Sequence, residues 1–210
     1  ITMTNAQEVK VSSGKVERFE NFKSKYVDAR NIDVWLPDGY SNNQKYAVLY
    51  MHDGQMLYDA ESAWNKQSWE IDEIAGKLIA ENKTKKFIIV GIWNNGMNKE
   101  KRIDTELKPI SDNYLQFLVT ELKPFIDQTY SVKTDQANTF IAGSSMGGLI
   151  SMYAICEYPK VFGGAACLST HWTGIYQLHD NPIPEVLLTY LKANLPNPKN
   201  HKLYFDCGDK

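Results

Sequence analysis

Asn138-Thr139-Phe140-Ile141-Ala142-Gly143-Ser144-Ser145-Met146-Gly147-Gly148-Leu149-Ile150-Ser151-Met152-Tyr153-Ala154 is the stretch on which the reading of the fold turns. A short apolar strand runs into a Gly-x-Ser-x-Gly turn at Gly143 to Gly147, and a helix with sustained apolar character follows. That context is the one a nucleophile elbow requires, because a serine on a sharp strand-to-helix turn holds its hydroxyl clear of the backbone at the carboxyl edge of a sheet. Ser145 is therefore the candidate nucleophile. The glycines two before and two after it occupy positions where a β-carbon would strike neighbouring backbone. The Met146 N–H, first in the helix, is expected to face the oxyanion formed by attack on a carbonyl, with the helix dipole reinforcing it.

Outward from this stretch, strands alternate with helices. Residues 9–22 alternate loosely around Ser13-Gly14 and suggest a hairpin-like strand pair at an edge. Residues 31–36 form a cleaner strand closed by Pro37-Asp38-Gly39, and Tyr46-Ala47-Val48-Leu49-Tyr50-Met51 is apolar throughout, as expected of a central strand covered on both faces. Helical spacing through Ile71, Ile74, Ala75, Leu78 and Ile79 predicts a helix with Ser68 as its N-cap. Residues 87–92 read as the next buried strand, and Asp112 is expected to cap a helix running past Pro124 to Ile126. Beyond the elbow helix, which ends at Tyr158-Pro159, come a small-residue strand at 162–169, a helix from Pro182 or Pro184 to Leu195, and a last strand at 202–207. This order implies a mostly parallel sheet with helices on both sides.

The loop leaving the strand at 46–51 carries His52-Asp53-Gly54-Gln55, where a second oxyanion donor is expected; the Gln55 N–H is the candidate, with Gly54 permitting close approach. The other reading is a polar turn with His52 hydrogen-bonded locally. His52 and Asp53 do not suggest a metal, since adjacent residues in extended chain point apart. Arg102 and Glu106, four apart in the polar segment 97–109, read as a solvated ion pair rather than a substrate clamp.

Composition narrows the partners. At 210 residues with 43% apolar and 23% charged residues, the chain suits one globular domain spanning 1–210. A formal charge of −2 disfavours nucleic acid and anionic membrane, and no apolar run reaches the roughly eighteen residues of a spanning helix. Cys156, Cys167 and Cys207 show no CxxC pairing and are expected to be small buried apolar residues in a helix and two strands. Nothing calls for a cofactor or a metal. The opening Ile1, with Thr4-Asn5-Ala6, is similar to the small-residue end of a removed export signal, which would suit a secreted or periplasmic protein, and equally to an expression boundary, with a cytoplasmic protein as the alternative.

A serine hydroxyl needs a general base, and four histidines are available. His201 precedes the last strand and lies at the wrong end of the sheet; His179, beside Asp180, reads as surface. His171 and His52 both follow strands on the correct edge, with His171, next to Trp172, a pocket-lining or core residue. Asp209 fits the acid position after the last strand, and no histidine follows it.

These residues resemble the Putative esterase family of α/β-hydrolases, which includes esterase D, feruloyl and acetylxylan esterases and siderophore esterases. The resemblance rests on Val48 through Asp59, on Phe140 to Gly148, and on Glu157-Tyr158-Pro159-Lys160-Val161-Phe162-Gly163-Gly164, and it runs from about Asn31 to the end. It implies Ser145 as nucleophile, Met146 with the Gly54/Gln55 loop as oxyanion hole, an acid after the strand ending at Cys207, and carbohydrate-linked acyl esters such as feruloyl or acetyl groups as substrates. Family members continue through one more strand, a loop with the triad histidine and a closing helix, so the chain reads as a three-layer α/β-hydrolase fold lacking those parts. The segment around 101–109 is shorter than the family's usual connection. Trp172, Trp93 and Tyr58 are candidates for the acyl pocket or for the core. The competing expectation is a catalytically impaired hydrolase fold that binds a glycan or a protein partner.

Overall fold

The computed structural model describes residues 9–94, 110–174 and 179–207. Strands β1 Lys15–Phe22, β2 Arg30–Leu36, β3 Ala47–His52, β4 Phe87–Ile92, β5 Thr139–Ser144, β6 Gly164–Leu168 and β7 Lys202–Phe205 form one seven-stranded sheet in the order β1-β2-β4-β3-β5-β6-β7. The pairs β1·β2 and β2·β4 are antiparallel, and β4, β3, β5, β6 and β7 run parallel. Helices α1 Ile71–Ala80, α2 Ile110–Phe117, α3 Lys123–Thr129, α4 Met146–Glu157 and α5 Ile183–Asn194 provide the crossovers.

Side-chain alternation along the central strands divides the core in two. Val48 and Tyr50 of β3, and Ile88, Val90 and Ile92 of β4, pack with Tyr114, Phe117, Leu122, Ile126 and Ile150 on the face covered by α2, α3 and α4. Met51, Ile89 and Trp35 point the other way, onto Leu57, Tyr58 and Ala75 beneath α1. Two buried faces explain why β4, and β3 as far as Met51, are apolar at every position rather than every second one. The chain steps from β3 outward to β4 on one side and returns to β5 on the other. The carboxyl ends of β3 and β5 therefore flank the topological switch point, where open α/β sheets leave a crevice.

Several local expectations shift. The strand pair at the edge is β1 with β2, not a hairpin within 9–22, and Lys15 through Phe19 register against Leu36 through Ile32. Ser68 is not the cap of α1. The Trp69 and Ile71 amides instead donate to Met56 and Leu57 carbonyls at 2.7 and 3.1 Å, so the chain stays extended until Glu70 turns it at φ 52°. Ile74 and Leu78 are 51% and 37% exposed, leaving Ile71, Ala75 and Ile79 as the inward stripe. Asp112 lies inside α2, where its carboxylate accepts from the Tyr153 hydroxyl at 2.6 Å, and a π turn at Leu118–Leu122 joins α2 to α3. Cys156 and Cys167 are buried, whereas Cys207, just beyond β7, is exposed. No helix among the described residues is long and apolar enough to cross a membrane.

Candidate functional site

At the end of β5 the backbone reverses through Ser145, whose φ of 56° and ψ of −115° lie in a region that ordinary residues avoid. Such strain persists only where the surroundings over-determine it. Here the Ser145 N–H donates to the Leu168 carbonyl at 2.9 Å, and the Ser145 carbonyl accepts from Gly148, Leu149 and His171 at 3.1, 3.2 and 3.2 Å. The elbow is thus stapled to the end of β6 and to the first turn of α4. A β-carbon at Gly143 would lie 2.7 Å from the Gly147 carbonyl carbon and oxygen, which is the backbone collision the Gly-x-Ser-x-Gly spacing avoids. With the main chain held this way, Ser145 is exposed to solvent.

The loop after β3 approaches from the other side of the switch point. Asp53 adopts a left-handed conformation, φ 59° and ψ 48°, and Gly54 opens a single 3-10 turn over Gly54–Met56. A β-carbon at Gly54 would meet the Gly91 carbonyl carbon at 2.7 Å, so only glycine lets this loop lie against β4. Asn94 ties the loop down: its N–H donates to Gln55 Oε1 at 3.0 Å and its Nδ2 to Asp53 Oδ1 at 3.2 Å. Ser62 Oγ donates to the Gln55 carbonyl at 2.8 Å.

Between elbow and loop lies a cleft of about 710 Å³ bordered by Ser144, Ser145, Met146, Asp53, Gln55, Met56, Asn94 and the tryptophans Trp64, Trp69 and Trp93. Among the described residues, neither the Met146 nor the Gln55 N–H donates to another backbone group. Two uncommitted amides beside an exposed serine can receive a developing negative charge, one of them at the N-terminus of α4.

Other sequence candidates fall elsewhere. His52 is fully buried with Nδ1 2.8 Å from the Tyr114 hydroxyl, and its Cβ is 3.3 Å from where a β-carbon at Gly147 would sit. It packs under the elbow and does not face the cleft. Tyr58 belongs to the core beneath α1. Trp172 stacks near Phe205, ring centroids 5.9 Å apart, and borders a separate apolar groove with Leu188 and Leu191. His171 is half-buried with Nε2 3.3 Å from Thr173 Oγ1. Among the described residues no hydrogen bond joins the Ser145 hydroxyl to any histidine. His201 sits at the opposite edge, its Nε2 2.7 Å from the Pro159 carbonyl, and His179 is exposed. Asp209, the Arg102/Glu106 pair and Thr4-Asn5-Ala6 lie outside the described residues. No group of three or more metal-ligating side chains occurs among those described.

Sequence reasoning missed Trp64, Trp69, Asn94 and Asp206. The last accepts from the Ser169 N–H at 2.6 Å and so binds the ends of β6 and β7. Trp64 carried the one available signal, a large aromatic in an otherwise polar loop, and it is 81% exposed.

Sheet order, switch-point crevice and strained serine elbow together define an α/β-hydrolase. The family model described as "Putative esterase" matches residues 25–210, and the chain belongs to that family. An endo-1,4-beta-xylanase/feruloyl esterase of Xylanibacter ruminicola is 27% identical over 212 residues, covering 95% of this chain and 25% of that protein. The chain spans 25% to 60% of the length of the first curated relatives it matches. Among solved structures, a ferulic acid esterase of Anaeromyces mucronatus bound to ferulic acid superposes with a TM-score of 0.64, at 19% identity over 99% of this chain and 86% of that one. The enterochelin esterase of Shigella flexneri gives a TM-score of 0.71, at 16% identity over 94% of this chain and 46% of that one.

Proposed function

We propose that the chain is a serine carboxylic-ester hydrolase. Ser145 Oγ attacks the ester carbonyl carbon as its proton passes to a general base, and the Met146 and Gln55 N–H groups hold the tetrahedral oxyanion. The carbonyl–alkoxy bond then breaks, the alcohol leaves with that proton, and water releases the acid from the acyl-enzyme. Gly54 permits the approach of the Gln55 loop, and Asp209 is the acid of the constellation. The substrate class is a carbohydrate-linked acyl ester of feruloyl or acetyl type, which the xylanase/feruloyl esterase relative supports. One observation carries the reading: an exposed serine, strained into an elbow, shares a cleft with two uncommitted amides.

A fluorophosphonate probe and the hydrolysis of methyl ferulate and an acetylated xylooligosaccharide test it. Wild type is expected to label at Ser145 and to turn over ester, and Ser145→Ala to do neither; equal turnover by that variant ends the proposal. A second reading is an impaired hydrolase fold that binds a glycan or protein partner, and it is favoured by His52, on the correct edge of the sheet, being fully buried against the Tyr114 hydroxyl. It predicts no labelling, since the probe requires an activated hydroxyl.

A further inference from the structure

One wall of the cleft is built with unusual care. Arg18 on β1 and Asp33 on β2 face each other across the antiparallel pair, and Asp33 pairs in turn with Gly91 on β4, two residues before Trp93. The Asp33 carboxylate is 1% exposed and accepts three hydrogen bonds: from Arg18 Nε at 2.7 Å, Arg18 Nη2 at 2.8 Å and Trp93 Nε1 at 2.7 Å. The Arg18 guanidinium also lies over the Trp93 ring, 4.7 Å from its centroid. The Trp93 N–H donates to the Asn31 carbonyl at 3.0 Å, so main chain, indole N–H and one ring face are all fixed. Burial lowers the Arg18 pKa, but the hydrogen bond and charge of Asp33 outweigh it and hold the group above its ordinary value.

A buried ion pair is weak evidence for stability, because apolar residues of similar volume commonly match or exceed it. What the bidentate fork supplies is geometry: it sets the guanidinium plane, and the guanidinium and carboxylate together set the indole plane. We propose that Arg18 and Asp33 are positioning residues for Trp93, and that Trp93 is the wall of the Ser145 cleft against which a planar conjugated acyl group stacks. The proposal rests on the cleft being the substrate site of the hydrolase reading. Planarity follows from a flat surface held so that it does not turn to suit a bent chain, and a cation on one ring face draws π density from the other, favouring an electron-rich ring there.

The test is calorimetric binding to the full chain carrying Ser145→Ala, so that it reads whether or not the wild type turns over ester. The probes are methyl 4-hydroxy-3-methoxycinnamate and its analogue saturated at the side-chain double bond. Trp93→Ala is expected to weaken cinnamate binding about three- to tenfold, the range of one aromatic stacking contact, and to affect the saturated analogue less. Arg18→Met with Asp33→Leu removes the pair without stranding a buried charge. This double change should weaken cinnamate binding about threefold beside Trp93, and have no effect beside Trp93→Ala, because the pair acts through the indole. Trp93→Phe serves in the same cycle should the alanine variant not fold. Equal losses in both backgrounds, an unchanged affinity in Trp93→Ala, or no cinnamate binding by the parent would each overturn the proposal. Hydrolysis of the acetyl ester by wild type would still uphold the hydrolase reading in all three cases.

Discussion

Gly143→Ala tests the elbow without any assumption about activity. The new methyl would sit 2.7 Å from the Gly147 carbonyl carbon and oxygen and 2.8 Å from its Cα, all three main-chain atoms. No side chain can swing aside, so either β5 or the start of α4 must move. The elbow is pinned to β6 by the Ser145 N–H to Leu168 bond and to the following loop by His171, so relaxation breaks tertiary hydrogen bonds as well. Overpacking commonly costs about 1–3 kcal/mol, and a collision with backbone alone places this one near or above the upper end, about 3 kcal/mol. For a chain of this size that is a fall in Tm of roughly 6–12 °C. Gly39→Ala is the control: its φ of 70° strains alanine, but no atom lies within 4 Å of the new methyl, so the cost is about 1–2 kcal/mol of conformational strain alone. Circular dichroism melts of both variants measure the difference. A Gly143→Ala melt no lower than that of Gly39→Ala would refute the close-packed elbow.

Gly54→Ala should push the Gln55 loop off β4 and, if its N–H serves the oxyanion, lower kcat for methyl ferulate by about 10²–10³-fold; a loss under threefold would remove Gln55 from that role. Iodoacetamide at pH 8 should modify Cys207 alone in the folded protein and all three cysteines in urea, as peptide mass analysis would show; early loss of Cys167 would contradict its burial. Burial pushes the Cys156 thiol up to about 11 and the Cys167 thiol up to about 12. The native state therefore keeps protons that the unfolded chain releases near about 8.5. That stability is complete below about pH 8.5 and is lost as pH rises through the folded values, so the urea midpoint should fall between about pH 9 and 11. Cys167→Ala should flatten the slope, and a midpoint that rises with pH would refute the sign.

The parts of the fold that were legible share a local cause. Strands β3 and β4 announce themselves because both their faces are buried, which makes every residue apolar up to the terminal His52 of β3. The start of α1 is not legible locally because another segment decides it: the Met56 and Leu57 carbonyls accept from the Trp69 and Ile71 amides and hold the chain extended up to Glu70. Asp112 reads as a cap in the sequence, but a distant residue decides its role: it accepts from the Tyr153 hydroxyl on α4, 41 positions away.

The sequence by itself determined the elbow, since it depends on which residues stand within four positions of one another and on which of them lack a β-carbon, whereas the approach of Gly54 to Gly91 follows only from the pairing of β3 with β4. Only the tertiary structure decided which of the aromatics and histidines reach the cleft. His52 and Tyr58 turn inward while Trp93 faces the site, because the direction of each side chain is set by strand register and by which face α1 and α2 cover. The Arg18–Asp33–Trp93 cluster draws on three strands, and its members become neighbours only once β1, β2 and β4 pair.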